Sequence, residues 1–273
     1  MQFKAMILDN AEVSPGYWRM RMTAPPEICA ARPGQFVMVR VNPSIDPLIR
    51  RPFGLFDTGI LQPAYTGAPP QPYMEILYRV VGKGTAMLSG LHETDLLDVL
   101  GPLGTGFDNG LANEEKLIVG GGVGLAPLYL LAKELVRDSP VRLFAGGRTR
   151  DDLLCITEFG RLGVECYTAT EDGSLGEQGL VTKVLESRLV ATSNKGRIFA
   201  CGPHGMLKAV AAFAAARHVP CQVSLEGYMA CGMGACLGCV CQGAGHSAET
   251  PDYRCVCTEG PVFDATLLAW EVA

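Results

Sequence analysis

Closely spaced cysteines near the C-terminus constrain this chain more than any other feature. Cys231, Cys236 and Cys239 are separated by four and then two residues, three glycines stand between them, and further cysteines follow downstream. This C-x4-C-x2-C…C spacing is the one that holds a plant-type [2Fe-2S] cluster. Glycines let such a loop pass close to inorganic sulfides and direct its backbone N–H groups at them. The pattern therefore predicts an iron–sulfur site.

Two other uses of these cysteines stay open. Four thiolates also bind zinc, and Cys236-x-x-Cys239 is typical of half a zinc knuckle. Zinc sites usually contain two such short pairs, however, and Cys231 with its glycine-rich spacer has no role in that pattern. Disulfides are a feature of exported proteins, and nothing in the sequence indicates export.

The fourth cluster ligand does not follow from spacing. Cys241, Cys255 and Cys257 are all candidates, although Cys241 is too close to Cys239 to reach round a cluster comfortably. The other cysteines lie mostly in apolar, strand-like surroundings, where buried and inert thiols are expected. They are Cys29, Cys155, Cys166, Cys201 and Cys221.

Composition limits the class of protein. The chain has 273 residues, of which 48% are apolar and 19% charged, as expected for a globular protein with two or three domains. A net charge of -5 gives no reason to propose nucleic acid or an anionic membrane as a partner. The N-terminus lacks the apolar run of a signal peptide, and no segment approaches 18 uncharged apolar residues. A soluble, cytoplasmic protein is expected, in which eleven cysteines indicate metal or redox use.

The first hundred residues have the pattern of β structure. Short runs rich in apolar and β-forming residues alternate with Gly- and Pro-containing turns, which predicts a closed antiparallel barrel. The Pro-rich stretch 62–72 is predicted to be a long hairpin loop. The six predicted strands are 3–8, 17–23, 35–41, 52–57, 73–81 and 96–100.

Strands then alternate with helices, which predicts βαβ units on a parallel sheet. Residues 101–115, rich in Gly, Asn and acidic residues, are expected to be the linker. The predicted strands are 116–120, 141–145, 164–168, 197–201 and 222–225, and the predicted helices are 126–137 and 206–217.

A glycine-rich turn joins the first strand of this sheet to its first helix. The backbone N–H groups of such a turn, with the positive end of the helix, can hold a pyrophosphate, whereas the alternative is tight packing of helix on strand. Pro127 stands where a third motif glycine would be expected. The candidate nucleotide-binding residues are Gly120, Gly121, Gly122 and Gly124.

Cys201, Gly202 and Pro203 end a later strand and open a helix, so they lie at the same carboxyl edge of the sheet. Cys201 is therefore a candidate neighbour of a nicotinamide, or else an ordinary buried thiol. Arg148 and Arg150 follow the second strand, where they could meet the 2′-phosphate of NADP or simply face water. The choice between NAD and NADP thus stays open.

Charged, aromatic and glycine residues come together in two parts of the predicted barrel. Arginines there can pair with phosphate oxygens, and a tyrosine can lie against a flat ring system. Arginines beside strands are also often solvated, so composition alone leaves both interpretations open. The candidate residues are Arg51, Pro52, Phe53, Gly54, Leu77, Tyr78, Arg79, Gly84 and Thr85.

Placed in order, these pieces resemble the ferredoxin reductase superfamily, and within it the electron-transfer subunits of class 1B dihydroorotate dehydrogenases. The resemblance covers essentially the whole chain and is most specific in residues 224–239 and 256–263. In that family the last cluster ligand directly precedes an x-acidic-Gly-Pro-Val-Phe run, so the resemblance selects Cys257 over Cys255.

The same resemblance implies the cofactor sites and the domains. Residues 51–54 look like the family's flavin-binding Arg-Pro-x-Ser/Thr strand, with Gly54 in place of the hydroxyl residue. Residues 77–79 and 84–85 look like its second and third FAD contacts, and the glycine-rich turn with Cys201-Gly-Pro looks like the NAD(P)H site. The implied domains are an FAD-binding barrel (1–108), an NAD(P)-binding domain (109–225) and a [2Fe-2S] domain (226–273).

The family implies an electron relay from NADH through FAD and the cluster to a partner subunit. The implied partner carries FMN and interconverts dihydroorotate and orotate in pyrimidine biosynthesis, in a complex with two copies of each subunit. No side chain is identified as a general acid or base. Two alternatives stay open: a subunit of an NAD(P)H-dependent ferredoxin oxidoreductase or flavin-based bifurcating complex, and a zinc-stabilised dinucleotide-binding protein without redox turnover.

Overall fold

The N-terminal part of the chain is a closed six-stranded antiparallel barrel, as the sequence predicts. The computed structural model describes residues 1–62, 69–189 and 196–270. The barrel is closed in the order β1-β2-β5-β4-β3-β6, and each predicted run overlaps one strand. The strands are β1 (Gln2–Ser14), β2 (Tyr17–Thr23), β3 (Phe36–Arg40), β4 (Arg51–Leu61), β5 (Gln71–Arg79) and β6 (Leu96–Leu103).

Apolar side chains fill the barrel because alternate residues along each strand point inward. Met20 and Met22 of β2, Val37 and Val39 of β3, and Ile76 of β5 are all fully buried there. Two short helices that the sequence analysis did not predict lie beside the barrel, namely α1 (Pro26–Cys29) and α2 (Lys83–Ser89).

The Pro-rich loop joins the antiparallel partners β4 and β5, whose last described pair is Leu61 with Gln71. A connection between neighbouring antiparallel strands is by definition a hairpin. Residues 63–68 of this loop lie outside the described residues, so its conformation stays a prediction.

The second part of the chain is an α/β unit whose sheet has six parallel strands in the order β10-β9-β8-β7-β11-β12. The strands are β7 (Glu115–Gly121), β8 (Val141–Gly147), β9 (Glu165–Thr170), β10 (Glu177–Gln178), β11 (Gly196–Cys201) and β12 (Cys221–Ser224). The helices are α3 (Leu125–Leu135), α4 (Ile156–Arg161), α5 (Val181–Leu189) and α6 (His204–Ala216), of which α4 and α5 were not predicted. None of the described helices has the length and hydropathy needed to cross a membrane.

The cysteine-rich segment returns to this sheet. It contains the small hairpin β13 (Val240–Gln242) and β14 (Tyr253–Cys255), and then β15 (Val262–Asp264), which pairs antiparallel with β12. This edge strand was not predicted, because three residues are too few for a periodic signal. Phe263 of β15 is buried and lies opposite Val223. The C-terminal segment is therefore part of the α/β core.

Barrel and sheet meet where α3 packs on β4. The ring of Phe56 stacks on that of Tyr129, with centroids 4.6 Å apart and planes at 18°. At the far end of this contact, Lys133 Nζ lies 2.7 Å from Asp57 Oδ1. This interface sets the width of the cleft between the two units.

Replacing Phe263 by alanine tests whether β15 holds the C-terminal segment to the sheet. Loss of a buried phenylalanine typically costs about 3 kcal/mol or more, so we expect the thermal midpoint of unfolding, followed by far-UV circular dichroism, to fall by roughly 5 °C or more. The control is Leu267→Ala, because Leu267 is 46% exposed in the turn that follows β15. Equal midpoints for the two variants would contradict this role of Phe263.

Candidate functional site: a cavity beside a cysteine-rich loop

A cavity of about 1240 Å³ lies between the barrel and the sheet. Sites for one drug-sized ligand usually measure about 300–1,000 Å³, so this cavity has room for more than one. Eight of the nine predicted flavin-binding residues line it, namely Arg51, Pro52, Phe53, Gly54, Leu77, Tyr78, Arg79 and Thr85. The ninth, Gly84, lies behind Arg51: a Cβ at Gly84 would stand 3.0 Å from Arg51 Nε.

The barrel wall offers both flat apolar surface and positive charge. Tyr78 donates its hydroxyl to Asn10 Oδ1 (3.1 Å), sets its ring edge-to-face against Phe53 and is 1% exposed, so it is a packed part of the cavity wall. Neither Arg51 nor Arg79 forms an ion pair with any residue that the structure describes. Arginines without a protein anion beside an apolar cleft suit a ligand that carries phosphate groups and a flat ring system.

The four glycines of the glycine-rich turn fall into two pairs with different surroundings. Gly121 and Gly122 line the cavity. Gly120 and Gly124 do not, and both are closely packed: a Cβ at Gly124 would lie 2.5 Å from the carbonyl oxygen of Cys201. The alternative of tight packing thus applies to these two glycines, whereas Gly121 and Gly122 belong to the cavity wall, as nucleotide contact requires.

The second predicted nucleotide motif lies directly opposite this turn. Cys201 and Pro203 line the cavity, and Gly202, with φ of 152°, lies so close to Gly121 that a Cβ would stand 3.0 Å from the Gly121 nitrogen. The thiol of Cys201 is buried, and burial together with the nearby carboxylate of Glu226 raises its pKa. At neutral pH it is therefore a neutral thiol.

Glu226 is a cavity residue to which the sequence analysis assigned no role. Glu226 is exposed to the cavity that it lines, and partial desolvation by the surrounding wall raises the pKa of its carboxyl group. Glu226 follows β12 at the carboxyl edge of the sheet, and that position is a signal which could have identified it. Of the two arginines considered for the 2′-phosphate, Arg148 lines the cavity. Arg150 instead donates to the carbonyl oxygen of Ser174.

A tyrosine from the barrel closes the cavity on its nucleotide side. The Tyr17 hydroxyl donates to Asp152 Oδ1 (2.6 Å), and the guanidinium of Arg79 lies 5.2 Å from the Tyr17 ring centroid. Burial and this hydrogen bond raise the pKa of Tyr17 to about 12, so the hydroxyl keeps its proton. The contact links β2 to the turn after β8.

The cysteine-rich loop lies next to the cavity. All eleven cysteines belong to the described part of the chain and are free thiols. Cys239, Cys255 and Cys257 form one group, with their sulfurs all within 4.8 Å of one another. The side chains of Cys231 and Cys236 lie near each other and outside this group.

Backbone N–H groups of the loop point at the sulfurs. Gly234 donates to Cys257 Sγ (3.1 Å), Gly238 to Cys236 Sγ (3.4 Å) and Met233 to Cys231 Sγ (3.5 Å). Gly234 has φ of 81°, a left-handed conformation that favours glycine. Hydrogen bonds from Met233 and Cys236 lower the pKa of the Cys231 thiol to about 6. Such N–H donors stabilise thiolates, which are the ligands that iron requires.

The arrangement of the thiols in two groups distinguishes a zinc ion from an iron–sulfur cluster. A single tetrahedral zinc ion requires four sulfurs that are all about 3.8 Å apart, since zinc–sulfur bonds are about 2.3 Å long. Thiols in two groups joined by a glycine-lined loop instead suit a cofactor with two metal ions. The donors present therefore fit a [2Fe-2S] cluster better than zinc.

The cavity wall and the first of the thiols are close together along the chain. Met229 lines the cavity, and Cys231 follows two residues later, so their Cα atoms are no more than about 7 Å apart. On its other side the loop touches the barrel, because a Cβ at Gly232 would lie 2.5 Å from Met38 Cγ. Whatever binds in this part of the cavity lies beside the cysteine-rich loop.

Two departures from the family patterns are in contact with each other. Gly54 replaces a hydroxyl residue on β4, and Pro127 replaces a glycine on α3. A Cβ at Gly54 would lie 3.4 Å from Pro127 Cβ and 3.7 Å from two further ring carbons. The Cβ of a serine or threonine at position 54 would therefore lie in ordinary van der Waals contact with the Pro127 ring.

Replacing Gly124 by alanine tests the packing of the two nucleotide motifs. The added Cβ meets the rigid backbone of Cys201 and Gly202, so the turn has to shift. We expect kcat/KM for NADH, measured by bleaching of bound flavin, to fall roughly tenfold, which corresponds to about 1.4 kcal/mol. Gly160→Ala in α4 is the control, because its Cβ would meet nothing within 4 Å. A Gly124→Ala protein as active as the Gly160→Ala protein would refute the argument.

Family models and solved structures agree with this architecture. Residues 226–269 match the iron-sulfur cluster binding domain of dihydroorotate dehydrogenase B, and residues 118–212 match an oxidoreductase NAD-binding domain. The chain is similar to a solved NADH-dependent reduced ferredoxin-NADP oxidoreductase described in connection with flavin-based electron bifurcation, with a TM-score of 0.82, 29% identity and coverage of 98% of this chain and 90% of that one. A ferredoxin NADP+ reductase from Neisseria gonorrhoeae shares the fold, with a TM-score of 0.64, 15% identity and coverage of 79% and 91%.

Curated relatives match over nearly the whole length. The dihydroorotate dehydrogenase B (NAD(+)) electron transfer subunit of Desulforamulus reducens is 36% identical, with 98% of each chain covered. That of Geobacillus kaustophilus is 44% identical, with 86% of this chain and 85% of the relative covered. With a flavin-reductase-like barrel, an NAD-binding domain and an iron–sulfur domain in the same order, this chain belongs to the family of electron transfer subunits of dihydroorotate dehydrogenase B.

Proposed function

We propose that this protein passes electrons between NAD(H) and an FMN-containing catalytic subunit that interconverts dihydroorotate and orotate in pyrimidine biosynthesis. The observation that carries the proposal is the position of the cysteine-rich loop, two residues along the chain from the wall of a cavity large enough for a flavin and a nicotinamide. Family membership supports the choice of partner, since the relatives carry the name of this enzyme.

The cofactors supply the redox chemistry: bound FAD exchanges a hydride with NAD(H) and single electrons with a [2Fe-2S] cluster. The protein supplies binding and position. Arg51 and Arg79 bind the phosphates of FAD, and Tyr78 forms part of the wall of the flavin site. Gly121 and Gly122 bind the dinucleotide at the carboxyl edge of the sheet.

Four thiolates hold the cluster in this proposal: Cys231, Cys236, Cys239 and Cys257. The N–H donor of Gly234 stabilises negative charge on Cys257 Sγ, at 3.1 Å. Burial protects the inner end of the site, since Cys239 and Cys257 are both buried, whereas Cys236 is exposed. The cluster would thus have one end in the protein core and one end at the surface, where a partner can approach.

The surface beside the thiols suits a protein partner. Several large apolar side chains of the cysteine-rich segment are exposed, which marks an interaction site when they are contiguous. They are Met233, Leu237, Val240 and Tyr253, whereas the exposed Tyr228 lines the cavity. We propose that this surface docks on the catalytic subunit and that the complex contains two copies of each subunit.

A second candidate function has one specific observation in its favour. The structural likeness to the NADH-dependent reduced ferredoxin-NADP oxidoreductase covers 98% of this chain. A subunit of such a bifurcating complex would be built from the same modules but would have a partner rich in further iron–sulfur clusters. The identity of the partner separates the two functions.

Isolation of the complex tests the proposal. Anaerobic purification of the tagged chain from its native cell is expected to yield an FMN-containing partner in equal amounts, and the complex should reduce NAD when given dihydroorotate. The chain alone should show flavin and iron–sulfur absorption that NADH bleaches. Recovery of a colourless, zinc-containing chain, or of a complex that forms no orotate, would overturn it.

Polar substitutions next to the cluster test the docking surface. Met233→Gln with Leu237→Asn removes apolar area but keeps side-chain size, and asparagine tolerates the positive φ of Leu237 (53°). We expect dihydroorotate-dependent NAD reduction by the complex to fall roughly tenfold, with NADH-dependent bleaching of the flavin unchanged. The control is Leu111→Asn, since Leu111 is 77% exposed but lies in the linker before β7. A similar loss in the control would argue against a specific surface.

A further inference from the structure

The cysteine-rich site contains one thiol more than a cluster with four ligands uses. Cys231 and Cys236 form a pair, as two ligands of one iron would. The other group has three members, Cys239, Cys255 and Cys257. One iron of a [2Fe-2S] cluster takes only two thiolates, because two sulfides complete its tetrahedral coordination. A fifth thiol therefore lies at the inner end of the site.

Distances show that Cys255 is placed to bind iron. Two thiolates on one tetrahedral metal, with bonds of about 2.3 Å, are about 3.8 Å apart. Cys255 Sγ lies 3.7 Å from Cys239 Sγ and 3.7 Å from Cys257 Sγ. The pair Cys239 and Cys255 thus already has the separation that a shared iron requires.

The backbone holds Cys255 independently of the Cys257 side chain. Cys255 ends β14, opposite Val240. Its N–H donates to Glu259 Oε1 (2.7 Å), and its carbonyl oxygen accepts from the N–H groups of Glu259 (2.8 Å) and Thr258 (3.2 Å). Cys257 differs in that its sulfur also accepts the Gly234 N–H. This bond ties Cys257 to the glycine-lined loop and makes it the preferred ligand.

We propose that Cys255 is a reserve ligand of the cluster, which binds the inner iron together with Cys239 when Cys257 is absent. In that event the Cys255 thiol loses its proton to solvent and forms one sulfur–iron bond, in place of the bond from Cys257. One thiolate replaces another, so the charge and oxidation state of the cluster do not change. The inference rests on the proposed function, since it requires an iron–sulfur cluster.

The test compares single and double alanine variants of the full chain, purified anaerobically. Cys257→Ala is expected to keep roughly half or more of the wild-type iron and acid-labile sulfide per flavin, with an altered electron paramagnetic resonance spectrum of a [2Fe-2S] centre. Cys255→Ala should keep the wild-type content and spectrum. The double variant Cys255→Ala/Cys257→Ala should keep less than about a tenth.

Cys241 provides the matched control, since it lies in the same segment but outside the three-thiol group. Cys241→Ala/Cys257→Ala is expected to match Cys257→Ala in iron and sulfide. Loss of the cluster from a folded, flavin-containing Cys257→Ala protein would overturn the inference. Equal cluster content in Cys257→Ala and in Cys255→Ala/Cys257→Ala would overturn it as well.

Cys257→Val places an apolar side chain that cannot bind iron at this position, and it serves if the alanine variant does not fold. Its spectrum should change again when Cys255→Ala is added, because Cys255 would then be the ligand that is lost. Identical spectra would contradict the inference. A wild-type chain without iron and sulfide would instead refute the proposed function, so the two failures are distinguishable.

Discussion

The pairing of β12 with β15 fixes the position of the cysteine-rich segment beside the cavity. Residues 225–261 leave the sheet after Ser224 and return to it at Val262, and these two residues are partners across the two strands. The Leu225 N–H donates to the Pro261 carbonyl oxygen (2.9 Å), which joins the two ends of the segment. A segment anchored at both ends on one sheet edge has little freedom to move away from the cavity.

The linker from the barrel adds a third anchor at the same point. The Thr105 N–H donates to the Gly260 carbonyl oxygen (2.6 Å), and its hydroxyl lies within hydrogen-bond distance of the carbonyl oxygens of Glu259 and Val262. Each part of residues 257–263 therefore has a structural role. Its first residue faces the other thiols, its middle binds the linker and its last residues form β15. A change in any part of this run affects both the fold and the cysteine-rich site.

Much of this architecture follows from sequence patterns, for physical reasons. Strands with alternating apolar residues and β-branched side chains are recognisable locally, so the barrel and five of the sheet strands are predicted correctly. The helix α5 was missed although its apolar residues Val181, Val184, Leu185 and Leu189 have helical spacing. The strand β15 is different, because a three-residue strand exists only through its partner and leaves no periodic signal.

The candidate functional site was likewise predicted only in part from the sequence. Residue types and spacing indicate the thiols and the candidate phosphate-binding turns, because the chemistry demands those residue types. Spacing cannot show that Cys255 lies 3.7 Å from both Cys239 and Cys257, since this depends on how β14 pairs with β13. The cavity position of Glu226 likewise depends on the folded chain, although its place at the carboxyl edge of the sheet was visible in the sequence.

Gly54 of the barrel and Pro127 of the α/β unit are physically coupled, because a side chain added at position 54 would meet the Pro127 ring. Each residue departs from the pattern of its own family motif. The two residues occupy adjoining space across the interface of β4 and α3. A Cβ added at position 54 would rest in van der Waals contact with the proline ring, and removing the proline would leave a void beside a residue without a side chain. A side chain at position 54 therefore gains this packing only while Pro127 is present, so the effects of the two substitutions on stability are expected to be non-additive.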